Sequence, residues 1–297
     1  MANIAAGLDA ALARRREAGA RASTTPRTLV AGEGWQVADV LCTHGPNDVP
    51  FEERHSRMLV ALVVAGAFEY RTPSARALMT PGAVMLGNDG ECFECGHRHR
   101  EGDRCIAFRY TPAYFERIAA DVGVTSRGAR FGAARIAPSR AFARFVAAAC
   151  AGVSMQRARG WDALAAALAA HALRHTAGLS PRDTRGASSA AIERVMQILQ
   201  LIDAAPESEL GLDRLAEHAG LSPYHFLRTF EEATGTTPHQ YVVRARLRLA
   251  AQRLADAPGK IVDIALDCGF EDVSNFNRAF RAEFGESPRA YRARLTG

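Results

Sequence analysis

The sequence predicts an α+β fold: an antiparallel β-barrel with associated helices, followed by an all-α domain of two helix-turn-helix units joined by a long helix. Three observations carry that prediction. Short apolar runs separated by Gly, Pro, Asn and Asp fill residues 28–112. One helical unit occurs twice between residues 210 and 295. A polar, turn-rich stretch at 180–189 (SPRDTRGASS) lies between them and has the composition of a linker. The chain of 297 residues, 48% hydrophobic and 23% charged, has the length for two domains and an ordinary globular composition.

Taken in order, residues 1–27 form an Ala- and Arg-rich extension, in which Arg14, Arg15 and Arg16 interrupt any apolar run. A secretory signal needs an uninterrupted apolar core, so a cytoplasmic protein is expected. The longest apolar run, Met58 to Phe68, falls well short of the ~20 residues that cross a bilayer and reads as a buried strand, with no membrane partner expected. Strands are predicted at 35–42, 58–70, 77–79, 83–86 and 105–110; antiparallel strands at this spacing suggest a small barrel or jelly roll.

One cluster stands out inside the barrel. Cys92, Cys95, His97, His99 and Cys105 fall within ECFECGHRHREGDRC, and thiolates with imidazoles are the ligands zinc prefers. His97 and His99 alternate as strand neighbours do, and Cys42, His44 and His55 add ligands if their strands lie alongside. Three readings stay open: a zinc site in the N-terminal domain, thiol redox chemistry, or packing with the thiols kept reduced. Cys268, which repeats the position of Ala219, reads as a core thiol, and Cys150 lies in an Ala-rich helix with no partner in sequence. Nothing resembles a phosphate loop, a nucleophile elbow or a pair of catalytic carboxylates, so an enzyme is not expected.

Residues 142–178 read as two Ala- and Leu-rich helices. Phe142, Phe145, Val146 and Ala149 share a face of the first; Trp161, Leu164 and Leu168 share one of the second, with His171 and His175 continuing the stripe or binding metal. Such faces suit either packing on the barrel or a homodimer. Residues 190–204, with Ile192, Val195, Met196, Leu199 and Ile202, open the second domain.

The repeat is the most specific feature. Leu212, Leu215, Ala216, Ala219, Gly220 and Leu221 recur 49 positions later as Ile261, Ile264, Ala265, Cys268, Gly269 and Phe270. Phe226, Arg228, Phe230, Gly235, Pro238 and Tyr241 recur 50 positions later as Phe276, Arg278, Phe280, Gly285, Pro288 and Tyr291, so the second turn holds one extra residue. Each copy reads as helix, Gly turn, N-cap (Ser222 or Asp272) and second helix, with Ala216 and Ala265 small where the helices cross. The segment from Pro238 to Ala255 is a helical rod of ~27 Å at ~1.5 Å per residue. That length suits two recognition helices in successive major grooves, ~34 Å apart. Net charge is no guide: residues 189–297 carry 13 Arg and Lys against 15 Asp and Glu, so the overall +5 belongs to the first part of the chain. The case rests on placement of Arg228, Arg244, Arg278, Arg281 and Arg294.

Residues 210–295 resemble the tandem helix-turn-helix domain of AraC/XylS-type transcription regulators, and GFEDVSNFNRAFRAEFGESPRAY is close to that family's signature. The resemblance implies sequence-specific binding to double-stranded DNA, promoter control that is usually activation, RNA polymerase as a partner, and a cupin-like N-terminal domain answering an unknown small-molecule or metal effector. It places the reading positions at Tyr224, Leu227 and Arg228 in the first unit and Val273, Ser274, Asn277 and Arg278 in the second, with Arg281 beside them. Leu227 and Val273 depart from the polar residues often found there. The alternative is a cupin-like metalloenzyme or a metal or thiol redox sensor fused to a DNA-binding module. Glu101 follows His99 too closely for the cupin metal motif, which weighs against the enzyme. The expected division is an extension (1–27), an effector and dimerisation domain (28–179), a linker (180–189) and a DNA-binding domain (190–297).

Overall fold

The computed structural model describes residues 2–50, 52–98, 101–124, 129–154, 160–177, 188–256 and 259–296. Most of the 180–189 linker lies outside them. In chain order the elements are α1 (Ala2–Ala18), β1 (Thr24–Gly32), β2 (Trp35–Cys42), β3 (Glu52–Arg54), β4 (Met58–Gly66), β5 (Phe68–Arg71), β6 (Arg76–Met79), β7 (Val84–Gly87), β8 (Cys92–Gly96), β9 (Asp103–Tyr110), α2 (Pro112–Asp121), β10 (Arg135–Ile136), α3 (Arg140–Ser154) and α4 (Trp161–Thr176). The helical part follows as α5 (Ser189–Ala204), α6 (Leu212–His218), α7 (Pro223–Thr234), α8 (Pro238–Asp256), α9 (Ile261–Asp267), α10 (Val273–Phe284) and α11 (Pro288–Thr296).

The strands make two antiparallel sheets, β1-β2-β9-β4-β7-β10 and β3-β8-β5-β6. Their alternating side chains explain the apolar runs. Leu59, Ala61 and Val63 of β4 join Phe68, Tyr70, Met79, Met85, Cys105 and Ala107 in a core between the sheets. Val60, Leu62 and Val64 of the same strand point the other way, with Val84, Ile106 and Phe108, toward α2, α3 and α4. β4 is therefore buried on both faces, which removes the polar alternation a half-exposed strand would show.

Here the structure corrects the expected cupin-like barrel. No strand pairing among the described residues joins the two sheets, which leaves β1, β10, β3 and β6 as edges. The predicted strand at 58–70 is two strands in different sheets. The chain leaves one sheet at Gly66, whose φ of 76° suits only glycine and whose missing side chain admits the backbone of Gly102, then enters the other at Phe68.

The residues expected as an extension hold α1 and the start of β1. Leu8 and Leu12 pack on Ala65 and Leu41, and Arg15 bonds the Asp48 carboxylate at 2.9 and 3.0 Å. α2 was not foreseen, although Thr111-Pro112 is a helix-start signature; the Thr111 hydroxyl accepts from the Tyr114 amide. His171 and His175 pack edge-on against Phe142, at 4.8 and 5.5 Å between centroids, as part of the α3–α4 contact.

Two aromatic clusters hold the helical part together. Phe226, Phe230 and Tyr241 form one with α5 and α6; Phe276, Phe280, Phe284 and Tyr291 form the other with α9. Phe280 is wholly buried, with ring centroids 5.5 Å from Phe276, 4.3 Å from Phe284 and 5.4 Å from Tyr291. Phe280→Ala is expected to lower unfolding free energy by about 3–5 kcal/mol through lost burial and the remaining cavity, measured by denaturant unfolding of the full chain.

Asp39 ties three strands. Its carboxylate accepts from Arg104 of β9 at 2.6 and 2.8 Å and from Arg27 of β1 at 3.0 Å. Burial alone would raise its pKa, but the two guanidiniums outweigh burial and hold it below the ordinary value. A carboxylate depressed on folding contributes stability above its unfolded pKa and loses it as pH falls through the folded one. Asp39→Asn is therefore expected to flatten the loss of stability below about pH 4. Unfolding midpoints measured between neutral and acid pH would show the wild-type curve falling more steeply than the variant's.

Candidate functional site

The repeated units build two similar exposed helix starts. In the first, Ala219 closes α6, Gly220 turns with φ 64°, and the Ser222 hydroxyl accepts from the His225 amide. In the second, Cys268 closes α9, Gly269 turns with φ 86°, and the Asp272 carboxylate accepts from the Ser274 and Asn275 amides at 2.9 and 3.0 Å. The shift of offset from 49 to 50 falls between the turn glycine and the cap. Both second helices end in left-handed glycines, Gly235 and Gly285.

The caps aim one face of each second helix inward and the other outward. Phe226, Phe230, Phe276 and Phe280 are buried. Tyr224, at 76% exposure, and Arg228 face solvent on α7, with Leu227 half-buried between them. On α10, Ser274, Asn277, Arg278 and Arg281 are exposed and Val273 is half-buried. The eight residues expected to read DNA thus sit on the outer faces of α7 and α10. Arg278 also donates to Asn275 on its own helix at 3.1 Å.

α8 joins the units. Tyr241, Val242 and Ala245 of its first half belong to the core of the first unit, and Leu247, Ala250, Ala251 and Leu254 of its second half to that of the second. Sequence reasoning missed Arg246, whose guanidinium donates to Pro206 O, Ser208 O and Gly269 O at 2.8, 2.9 and 2.7 Å. It fastens the turn of the second unit to the loop before the first. Arg244 and Arg294, expected among the arginines placed for DNA, are engaged inside the domain: Arg244 pairs with Glu283 at 3.6 Å and Arg294 with Glu286 at 2.6 Å.

The helical part also packs on the sandwich. α10 meets α3, and α8 meets α1. Arg135 of β10 donates to Leu78 O at 2.9 Å and to Ala233 O, near the C-terminus of α7, at 2.5 Å. Burial lowers its pKa to about 10, which leaves it charged at neutral pH. A cleft of about 310 Å³ lies between the two parts, lined on one side by Leu8, Val64 and Pro81 and on the other by Asp203, Arg248 and Leu249.

The cysteine and histidine cluster is arranged otherwise than its sequence spacing suggests. Cys92 and Cys95 are three apart on β8, and an odd separation on a strand sends side chains to opposite faces. Cys95 packs toward the core between the sheets, where burial, then Asp103 and Cys42, push its thiol pKa well up. Burial and Asp103 do the same to Cys105. His99 lies outside the described residues. Among the described residues the donors that converge are Cys42, His97 and Asp103, so of the four expected ligands that are described only His97 belongs to the group. Burial would lower the His97 pKa, but its bonds to Asp103 and Cys42 raise it to about 10. His44 does lie beside Cys42, at 3.4 Å. His55 instead bonds the Tyr70 hydroxyl at 2.7 Å and stacks on Phe93, and burial, with the nearby Arg109 charge, lowers its pKa to about 4.

Two helix-turn-helix units on a shared rod, each with a capped and outward-facing second helix, define a tandem helix-turn-helix protein. A family model described as a helix-turn-helix domain matches residues 215–294. The regulatory protein SoxS of Salmonella typhimurium is 35% identical over 101 residues, which cover 34% of this chain and 94% of SoxS. The HTH-type transcriptional regulator MtrA of Neisseria gonorrhoeae is 30% identical over 100 residues, so that likeness spans only 34% of this chain and 33% of MtrA. A crystal structure of an AraC-type regulator from Chromobacterium violaceum aligns with 30% identity over 37% of this chain and 97% of that one, at a TM-score of 0.35. The chain belongs to the AraC family of DNA-binding transcription regulators. No helix among the described residues is long and apolar enough to cross a membrane.

The cap at Asp272 orients α10 by satisfying two of the amides that its first turn leaves free. Asp272→Ala is expected to destabilise the chain by about 0.5–2 kcal/mol, and Asp272→Ser by less, since a hydroxyl can accept one of the two bonds. Thermal unfolding of the two variants side by side measures the difference.

Proposed function

We propose that this protein binds a promoter through the outer faces of α7 and α10 and activates transcription in response to a signal received by its N-terminal domain. The observation that carries the reading is the pairing of Tyr224 and Arg228 with Ser274, Asn277 and Arg278 on two exposed helix starts, joined by a rod of about 28 Å at ~1.5 Å per residue. That spacing approaches the ~34 Å between successive major grooves on one face of DNA. Arginine can grip guanine O6 and N7 with two hydrogen bonds, Asn277 can serve adenine, and Leu227 and Val273 can meet thymine methyls. Relatives named as regulators, among them one named as a transcriptional activator, support promoter activation; RNA polymerase as partner is what the family resemblance implies.

The signal is proposed to act where the two parts touch. A ligand in the cleft of about 310 Å³ would contact α1 and β4 on one side and α5 and α8 on the other, within the usual size of small-molecule sites. The Ala-rich faces of α3 and α4 are largely occupied within the chain, so a homodimer is proposed to use another surface. The division into an N-terminal sensing domain and a DNA-binding domain from about residue 190 is part of the same reading.

A binding sequence selected from random duplexes with the full chain would provide the operator, and fluorescence anisotropy the affinities. Arg278→Ala is expected to cost about 1–3 kcal/mol on that operator and to relax preference at one base pair. Equal weakening on every duplex would move Arg278 from base to phosphate. Transcription in vitro that falls when the protein is added would replace activation by repression.

A further inference from the structure

A second site lies at the end of the sandwich, away from the helix faces assigned to DNA. Cys42 ends β2 and Asp103 opens β9, and the register of these strands sets the two residues directly opposite each other. His97 follows β8 immediately. All three are buried. The Cys42 Sγ to His97 Nε2 distance is 3.6 Å, and that from His97 Nε2 to Asp103 Oδ2 is 3.1 Å. His44 Nδ1 stands 3.4 Å from Cys42 Sγ on the more open side.

The chemistry of the convergence separates a metal site from a chain of hydrogen bonds. His97 presents the same ring nitrogen to both Cys42 and Asp103, yet one N–H can point squarely at only one of them. Donor atoms crowded toward a common point are what a cation requires. In a tetrahedral zinc site, Zn–S of ~2.3 Å and Zn–N or Zn–O of ~2.0–2.2 Å place sulfur and nitrogen ~3.6 Å apart and nitrogen and oxygen ~3.4 Å apart. The Cys42–His97 separation of 3.6 Å matches, that of His97 and Asp103 at 3.1 Å is somewhat shorter, and the three donor atoms all lie within 4.8 Å of one another. A cavity of about 20 Å³ adjoins the group, lined by Cys42, His44, Glu53, Cys95 and His97 among others. It has room for an ion or a water. The Cys105 thiol reaches the other Asp103 oxygen at 3.6 Å, the kind of outer contact that orients a ligand.

We propose that Cys42, His97 and Asp103, completed by rotation of His44, bind one divalent ion of the zinc class. The ion joins the loop after β2 to the loop between β8 and β9. Those loops hold α1: Arg15 bonds Asp48 and Arg16 bonds Glu101, and Gly102 lies against Leu8 and Leu12. α1 in turn touches α8, so the ion braces the part of the sandwich that meets the rod. The site rests on this geometry and not on the DNA-binding reading.

Cobalt(II) is the probe, titrated into full-length chain stripped of metal with a chelator and kept reduced. One cobalt per chain is expected, with visible bands of tetrahedral strength, a thiolate-to-cobalt band in the near ultraviolet, and displacement by one equivalent of zinc. Cys42→Ser should abolish the thiolate band and weaken zinc on the order of 100-fold in competition with a chromophoric chelator, at or beyond the loss seen when an outer partner is removed. Cys92→Ser should leave both unchanged. Wild-type protein that binds no stoichiometric cobalt or zinc at micromolar concentrations overturns the site without recourse to any variant, as does an undiminished thiolate band in Cys42→Ser. Operator binding is measured on the same samples: intact DNA affinity with no metal bound rejects this site alone, and metal bound without DNA affinity rejects only the DNA-binding reading.

Discussion

The helical half depends on one shared element, the apolar surface of α8. A helix-turn-helix unit buries too little by itself to hold a fixed shape, and each unit here completes its core on a different half of the same rod: Tyr241, Val242 and Ala245 for the first, Leu247, Ala250, Ala251 and Leu254 for the second. The distance and rotation between the two exposed faces are therefore set by the residues of one continuous helix. Arg246 adds a polar fastening, because its three carbonyl partners come from the loop before α6 and the turn after α9. Carbonyls in such loops lie outside any regular ladder and need partners when shielded from water; one guanidinium, with its planar fork of donors, serves three of them.

The same logic reaches across to the sandwich through Arg135. Its guanidinium stands between a carbonyl at the edge strand β6 and one in the last turn of α7. The C-terminal end of a helix carries a partial negative charge, and a cation placed there is favoured. Removing a charge from water is costly, and burial draws the Arg135 pKa down to about 10. The contact must therefore be well matched to persist, and a small displacement of either part exposes the charge to water again. Together with α3 on α10 and α1 on α8, it gives the N-terminal half a physical hold on both helix-turn-helix units.

How much of this was legible in the sequence follows from what each residue is required to do. The tandem units were legible because left-handed Gly220 and Gly269, the caps Ser222 and Asp272, and the buried phenylalanines are each demanded by local geometry, so their repetition in register points to a single kind of fold. β2 was read to its ends, and β9 nearly so. β1 escaped because it lies on an edge and is mostly exposed, which leaves no apolar alternation to detect. The break between β4 and β5 escaped because a strand buried on both faces shows no period, so Gly66 read as one more small residue within a run. The cluster at 92–105 was misread for a related reason: adjacency in sequence stood in for adjacency in space. The strand parity of β8 separates Cys92 from Cys95, while the β2–β9 register brings in Cys42 and Asp103. Cys42 ends one predicted strand and Asp103 falls just before another, but pairing the two required the strand order.

The charge distribution resolves the apparent conflict between a net-acidic helical region and a DNA-binding family. Several of its acids are engaged internally: Glu283 with Arg244, Glu286 with Arg294, and Asp203 with Arg248 and the Tyr241 hydroxyl. Each such pair is partly buried and nearly neutral at a distance. With exposed charges screened over about 8–10 Å at physiological salt, a phosphate backbone near α7 and α10 would respond to the local surface and scarcely to the sum over the domain. On that surface stand Arg228, Arg278 and Arg281. Each pair takes an arginine out of the count together with its acid, so the sum over the region stays slightly negative; what bears on a phosphate is where the arginines of α7 and α10 stand, and that placement carries the argument where the sum does not.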